Sequence, residues 1–191
     1  MNKLELIITQ GPYSTFLEEL ASINIVSAIR LNTIMPVKEG TLKERLKDIS
    51  EKIYPKILWI DLKARQLRIK EFANTPYTAV TISHKIKVTL PATVYFDNGN
   101  ITGKLVDIDG NKLIIEDYVG RLLGPGESVN ILDDTLEYTE NSFLTEKDEI
   151  YVALCKELGI KHFMLSFVEK KQDIEYLKNI YPGSVIMSKI E

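Results

Sequence analysis

Two stretches of alternating strand and helix patterning enclose a run of short strands with no helix pattern among them, and few folds accommodate that arrangement. Residues 4–9 form an apolar run that predicts a buried strand, and Gly11-Pro12 ends it. Thr15 with Glu18 three residues on predicts a capping box and a short helix through residue 20. Residues 25–31 predict a second strand. Thr41 with Glu44 repeats the cap signature ahead of an amphipathic helix to about residue 52, and residues 57–60 predict a third strand. Near-continuous apolar strands that alternate with helices imply a parallel sheet covered by its crossover connections.

The texture then changes. Residues 80–82, 86–90, 93–96, 101–108, 112–118 and 128–131 are short β-patterned runs separated by Asp97-Asn98-Gly99, Asp109-Gly110 and Gly124-Pro125-Gly126. Regular spacing of this kind predicts a small antiparallel barrel or sandwich, assigned here to 75–133. After it, Thr145 and Asp148 open a predicted helix to residue 158, followed by a strand at 160–167, a helix at 172–180 and a strand at 184–190. The expected organisation is one α/β unit made of 1–74 and 134–191, interrupted by an all-β insert.

Charge removes two classes of partner. The 191 residues carry 24 Lys and Arg against 27 Asp and Glu, interspersed, so no basic stripe for nucleic acid and no polybasic arm for a membrane surface is expected. Glu5 breaks the N-terminal apolar run too early for a signal peptide, and no run approaches the roughly 18 to 20 apolar residues of a membrane span. One cysteine allows no internal disulfide, and two histidines without a second thiol make no zinc constellation. Cys155 reads as a small core residue of a helix. The cytoplasm is the expected compartment.

In a parallel sheet the functional edge is the carboxyl end of the strands. The polar residues there are Arg30 and Asn32, Asp61 and Lys63, Ser166 and Glu169, and Lys189 and Glu191. Cations and carboxylates on neighbouring strand ends suit a magnesium and phosphate site. The plainer alternative is that Arg30 pairs with Asp61 or Glu191 only to satisfy buried strand ends.

The strings TQGPYS at 9–14, AIRLN at 28–32, IDLKARQLR at 60–68, FDNG at 96–99, LTEKD at 144–148, SFV at 166–168 and SKIE at 188–191 together resemble the pyruvate kinase family, in its order and spacing. The resemblance implies the first five strands of a TIM-type (β/α) barrel, with the β insert as a mobile lid after the third strand. It implies a cytoplasmic glycolytic transferase, a kinase that moves the phosphoryl group of phosphoenolpyruvate to ADP and yields pyruvate and ATP. By the same resemblance Arg30 contacts the transferring phosphoryl group and Lys189 stabilises the developing enolate and phosphoryl charge. Glu191 is implied as one of two magnesium carboxylates, and Asn32 and Asp61 as ligands of potassium. Arg68 is implied near the nucleotide and the hinge, and Asp97 as a lid residue that approaches the nucleotide on closure. Lys189 and Glu191, two apart on a strand, point to one face.

The sequence also departs from that family. Thr33, Ile34, Met35 and Pro36 stand where the family has an aromatic, Ser, His and Gly, and Leu62 stands for a threonine, which removes two of four potassium oxygens. Gln66 occupies the position where potassium-independent members carry Lys. Glu127 and Glu169 replace a lysine and an arginine, setting negative charge where polyanions would bind. Strands six to eight, the second magnesium carboxylate and the C-terminal domain have no counterpart here. Further polypeptide or a homo-oligomer would have to complete the barrel. A catalytically degenerate binding or regulatory protein on the same scaffold is the alternative. Lid hinges are expected near Thr75-Pro76 and Asp133-Asp134.

Overall fold

A computed structural model describes residues 4–11, 14–35, 40–139 and 143–190. In chain order its elements are β1 (Leu6–Gln10), α1 (Leu17–Ser22), β2 (Val26–Asn32), α2 (Leu42–Lys52) and β3 (Ile57–Leu62). Then come β4 (Val80–Thr81), β5 (Ile86–Lys87), β6 (Ala92–Phe96), β7 (Ile101–Asp109), β8 (Lys112–Ile115), β9 (Val129–Ile131) and β10 (Glu137–Tyr138). The chain closes with α3 (Glu146–Leu158), β11 (His162–Leu165), α4 (Lys171–Ile180) and β12 (Val185–Ser188). It divides into two compact units, 1–64 with 146–191, and 65–145.

The first unit is a five-stranded, wholly parallel sheet in the order β1-β2-β3-β11-β12. Because side chains alternate along a strand, Ile29, Leu31, Leu58, Ile60, Leu62, Phe163 and Leu165 share one face, and all are buried. Leu46 and Ile49 of α2, Val152 and Cys155 of α3, and Leu177 of α4 are the buried stripes of their helices. Phe163 meets Tyr181 edge-on at 6.1 Å. Burial pushes the Cys155 thiol up to about 12, which fits an inert core residue.

Helix α2 starts with the expected capping box. Thr41 Oγ1 accepts the Glu44 N–H at 3.2 Å, and Glu44 Oε2 accepts the Thr41 N–H at 2.7 Å. The box expected at Thr15 does not form: α1 begins at Leu17, Phe16 stands at its N-cap with no side-chain cap, and Glu18 falls in the first turn. There its charge still suits the helix dipole.

At the end of β1, Gln10 is buried, and among the described residues both of its amide atoms lack a hydrogen-bond partner. An unsatisfied buried amide costs about 1 to 3 kcal/mol. Gln10→Met keeps the volume and removes the polar atoms, so the unfolding free energy from urea titration is expected to rise by about 1 to 3 kcal/mol; a fall would mean the amide is satisfied in solution.

The second unit is built on a curled antiparallel half-barrel, order β4-β8-β7-β6-β9, with β5 and β10 paired beside it as a two-stranded ribbon. Val94, Phe96, Leu105 and Leu113 are completely buried at its centre. This unit reaches well past the expected limits of 75 and 133. Leu67, Ile69 and Ala73 belong to its core, tied in through the bridges Arg68–Ser128, Ile69–Ile82 and Ala73–Leu123. The positions expected as hinges therefore lie inside it. Thr75 is buried and its Oγ1 accepts the Val119 N–H at 3.2 Å, while Asp133 Oδ1 accepts the Thr135 N–H at 2.8 Å. Among the described residues no helix is long and apolar enough to cross a membrane.

Candidate functional site

Register decides which polar side chains meet in the first unit. Asn32 lies opposite Asp61 across β2 and β3, and Asp61 lies opposite Met164 across β3 and β11. By alternation Thr9, Arg30 and Asp61 then share a face of the sheet, opposite the one carrying Ile29, Leu31, Ile60 and Leu62. The Lys189 N–H donates to the Leu165 carbonyl at 2.8 Å, and its carbonyl accepts the Val168 N–H at 3.1 Å, which anchors Lys189 just past β12.

Asp61 is the hub. Its side chain is fully buried and three cations converge on it. Arg30 Nε donates to Oδ2 at 3.1 Å and Arg30 Nη2 reaches the same oxygen. Lys63 Nζ donates to Oδ2 at 3.0 Å, and Lys189 Nζ lies 2.9 Å from Oδ1. Thr9 Oγ1 accepts Arg30 Nη1 at 3.0 Å and fixes the other side of the guanidinium. Burial alone would push the Asp61 carboxyl up; the charge of Lys63 and the hydrogen bonds from Lys189 and Arg30 overcome it and hold the group below the usual carboxylate range. Three cations thus surround one carboxylate at the end of the sheet where loops gather.

The backbone around the hub is tied down. Thr33 Oγ1 donates to the Asp61 carbonyl at 2.9 Å, and Ser166 Oγ donates to the Leu62 carbonyl at 2.9 Å. Asp148, in the first turn of α3, accepts the Lys63 and Ala64 N–H groups at 3.1 and 3.0 Å. That anchors the turn in which Ala64 takes a left-handed conformation, φ +46°. Asp173 does the same after β11, accepting the Glu169 and Lys170 N–H groups.

Of the sequence-predicted site residues, Arg30, Asp61 and Lys189 come together, so the pairing of Arg30 with Asp61 weighed from sequence is present. Asn32 lies opposite Asp61, but its Oδ1 accepts the Ile34 N–H at 3.1 Å and closes a turn. Potassium does not fit Asn32 and Asp61 as they stand, because one oxygen is spent on backbone and the carboxylate already faces three cations. Glu191 lies outside the described residues. A carboxylate shared among three cations is not a donor set for magnesium, and among the described residues no group of three or more His, Cys, Asp or Glu could hold a metal. Lys63 was visible from sequence as a strand-end cation, but its part in the cluster needed the register.

Arg68 and Asp97 belong to the second unit. Arg68 Nε donates to Gln66 Oε1 at 3.1 Å and Nη1 to the Gly126 carbonyl at 2.9 Å, so it braces the Gly124–Gly126 turn. Asp97 and Asn98 both have positive φ, +48° and +55°, in one 3-10 turn, a strained pair for non-glycine residues. Glu127, expected to repel phosphate, is engaged on both oxygens by Arg121 at 2.9 and 2.6 Å. The Arg121 hydrogen bonds hold the Glu127 carboxyl below its usual range. Its charge is matched locally.

No family profile and no curated protein sequence matches the chain.

Proposed function

We propose that this chain is a pyruvate-kinase-like phosphotransferase module whose first unit binds the phosphoryl group of phosphoenolpyruvate at the carboxyl ends of its sheet. The observation that carries this reading is the convergence of Arg30, Lys63 and Lys189 on buried Asp61 at the carboxyl end of the parallel sheet. Preorganised cations of this kind stabilise charge on a transferring phosphoryl group without reorganising when it arrives. Sheet order supports the barrel part of the reading. Parallel strands in strict sequence order are what a (β/α) barrel has, whereas doubly wound sheets reverse order at a switch point. A whole barrel has eight strands; the outer strands β1 and β12, with Leu6, Ile7, Val185 and Met187 exposed, are where further polypeptide or a second copy would continue it.

In this reading Arg30 orients the phosphoryl group, Lys189 neutralises charge beside it, and Thr9 and Asp61 hold Arg30 in place. Titration calorimetry with phosphoenolpyruvate should give saturable binding that weakens about tenfold or more in Arg30→Ala, the loss of a charge-assisted contact. Absence of binding to the wild-type chain would sink the proposal. A lactate-dehydrogenase-coupled assay with ADP and magnesium is expected to show negligible turnover by the chain alone. Turnover that disappears in Lys189→Ala would instead show that five strands suffice.

The second reading is a binding or regulatory protein that has lost catalysis. The closure of Asn32 on Ile34 favours it, because that turn removes an oxygen from the site. Binding without turnover in a form completed by further polypeptide would select it.

A further inference from the structure

Resting on the anion-site reading above, we infer that His162 makes that site pH-sensitive: with its ring protonated an anion at Arg30 is held more tightly, and with its ring neutral less so. The placement follows from register. Arg30, Trp59, His162 and Val185 lie side by side across β2, β3, β11 and β12, two residues before the row of Asn32, Asp61, Met164 and Met187. By alternation His162 shares the face that carries Arg30 and Asp61. Its half-buried ring stands edge-on to Trp59, with centroids 5.0 Å apart. One strand across and two residues along put its backbone about 8 Å from that of Asp61.

The surroundings of the ring decide when it is charged. From β3 it faces Trp59 and, further along, Asp61 with Arg30, Lys63 and Lys189 around it. From β12 it faces Val185 and Met187, neither of which titrates, and Lys161 precedes it in sequence. Burial, and after it the charge of Lys161, pushes the His162 imidazole below the usual histidine range. The ring is therefore neutral at neutral pH and gains its charge as pH falls below about 6.5. Asp61 stays ionised over that range, because its carboxyl is held below the usual carboxylate one. The other histidine, His84, belongs to the second unit. A positive charge that appears about 8 to 10 Å from a bound dianion attracts it, and linkage makes the effect mutual. Protonation tightens the anion, and the anion favours protonation.

The test titrates sulfate, a dianion throughout, into the full chain at constant ionic strength and at about pH 5 and about pH 8, either side of the histidine range. NMR shifts of the Lys189 and Leu165 amides report binding, and the ring C–H signals of His162 report its charge. Saturating sulfate should move the His162 midpoint up by about half a pH unit, and sulfate should bind roughly two- to threefold tighter at the lower pH. His162→Gln, uncharged at both, should bind sulfate with one affinity. A wild-type midpoint that ignores sulfate while the amides shift, or a His162→Gln protein that keeps the wild-type pH dependence, overturns the role of His162 and leaves the anion site standing. Failure of wild type to bind sulfate at either pH overturns the anion site itself, and this inference with it.

Discussion

Asp61→Ala is expected to cost about 3 to 5 kcal/mol, the penalty for breaking a buried ion pair and leaving charge uncompensated. Against a total stability of about 5 to 15 kcal/mol this is a large share. Lys63 suffers most, because its ammonium is nearly buried and loses the carboxylate 3.0 Å away. Urea unfolding followed by the fluorescence of Trp59, the single tryptophan, measures the loss. Sulfate should restore part of it by taking the carboxylate's place. A loss below about 1 kcal/mol, the range of exposed pairs, would mean that water already screens the cluster. The same carboxylate sets an acid limit. Its folded value lies below the unfolded one of about 3.9, so its contribution is complete above that pH and fades as pH falls through the folded value. The stability difference between wild type and Asp61→Asn should accordingly hold steady from neutrality down to about pH 4 and shrink only below it. A difference already fading at pH 6 would contradict the assignment.

Phe96→Ala should cost a similar 3 to 5 kcal/mol, roughly what deleting a buried aromatic from a well-packed core does. Phe96 is completely buried at the end of β6, where it pairs with both β7 and β9, and among the described residues it is the one aromatic side chain in the buried core cluster of this unit, with Tyr138 packed at its edge. Trp59 lies in β3 of the other unit. In the variant, β-sheet circular dichroism should be lost at lower urea than the Trp59 signal, dividing one transition into two. A single coincident transition would show that the two units unfold as one cooperative body.

Much of this architecture is legible in the sequence where its signals are periodic. The apolar runs at β1, β2 and β3 and the Thr41 to Glu44 cap extend over several residues, and the structure has strands and the cap there, although β1, expected as buried, is an outer strand with Leu6 and Ile7 exposed. Signals confined to one residue were not legible. Arg68, Ile69 and Ala73 join the β unit through isolated bridges, which leave no alternation to detect, so the boundary was set ten residues late. The two-residue strand β10 escaped for the same reason. The cap at Thr15 looked identical to the one at Thr41, yet the helix it would open is six residues long and starts later. In the site, residue types at strand ends were readable. The convergence of three cations on Asp61 was not, since it depends on the register of β2 against β3 and on where the chain past β12 is anchored. Arg121 facing Glu127 likewise needed the loop conformation to appear.

Asp148 carries a consequence beyond stability. It stands two residues past the point where the chain returns to the first unit and grips the N–H groups of Lys63 and Ala64, the last residues before the chain leaves it. Departure and return are thus fastened to each other inside the parallel sheet's own unit. To that unit, whatever is strung between them is a loop closed at a fixed and narrow mouth, whose length adds little entropic penalty. Such a junction tolerates exchange. A gene encoding this sheet could lose, lengthen or trade the intervening segment in a single recombination, and natural selection could then act on the cargo without renegotiating the scaffold.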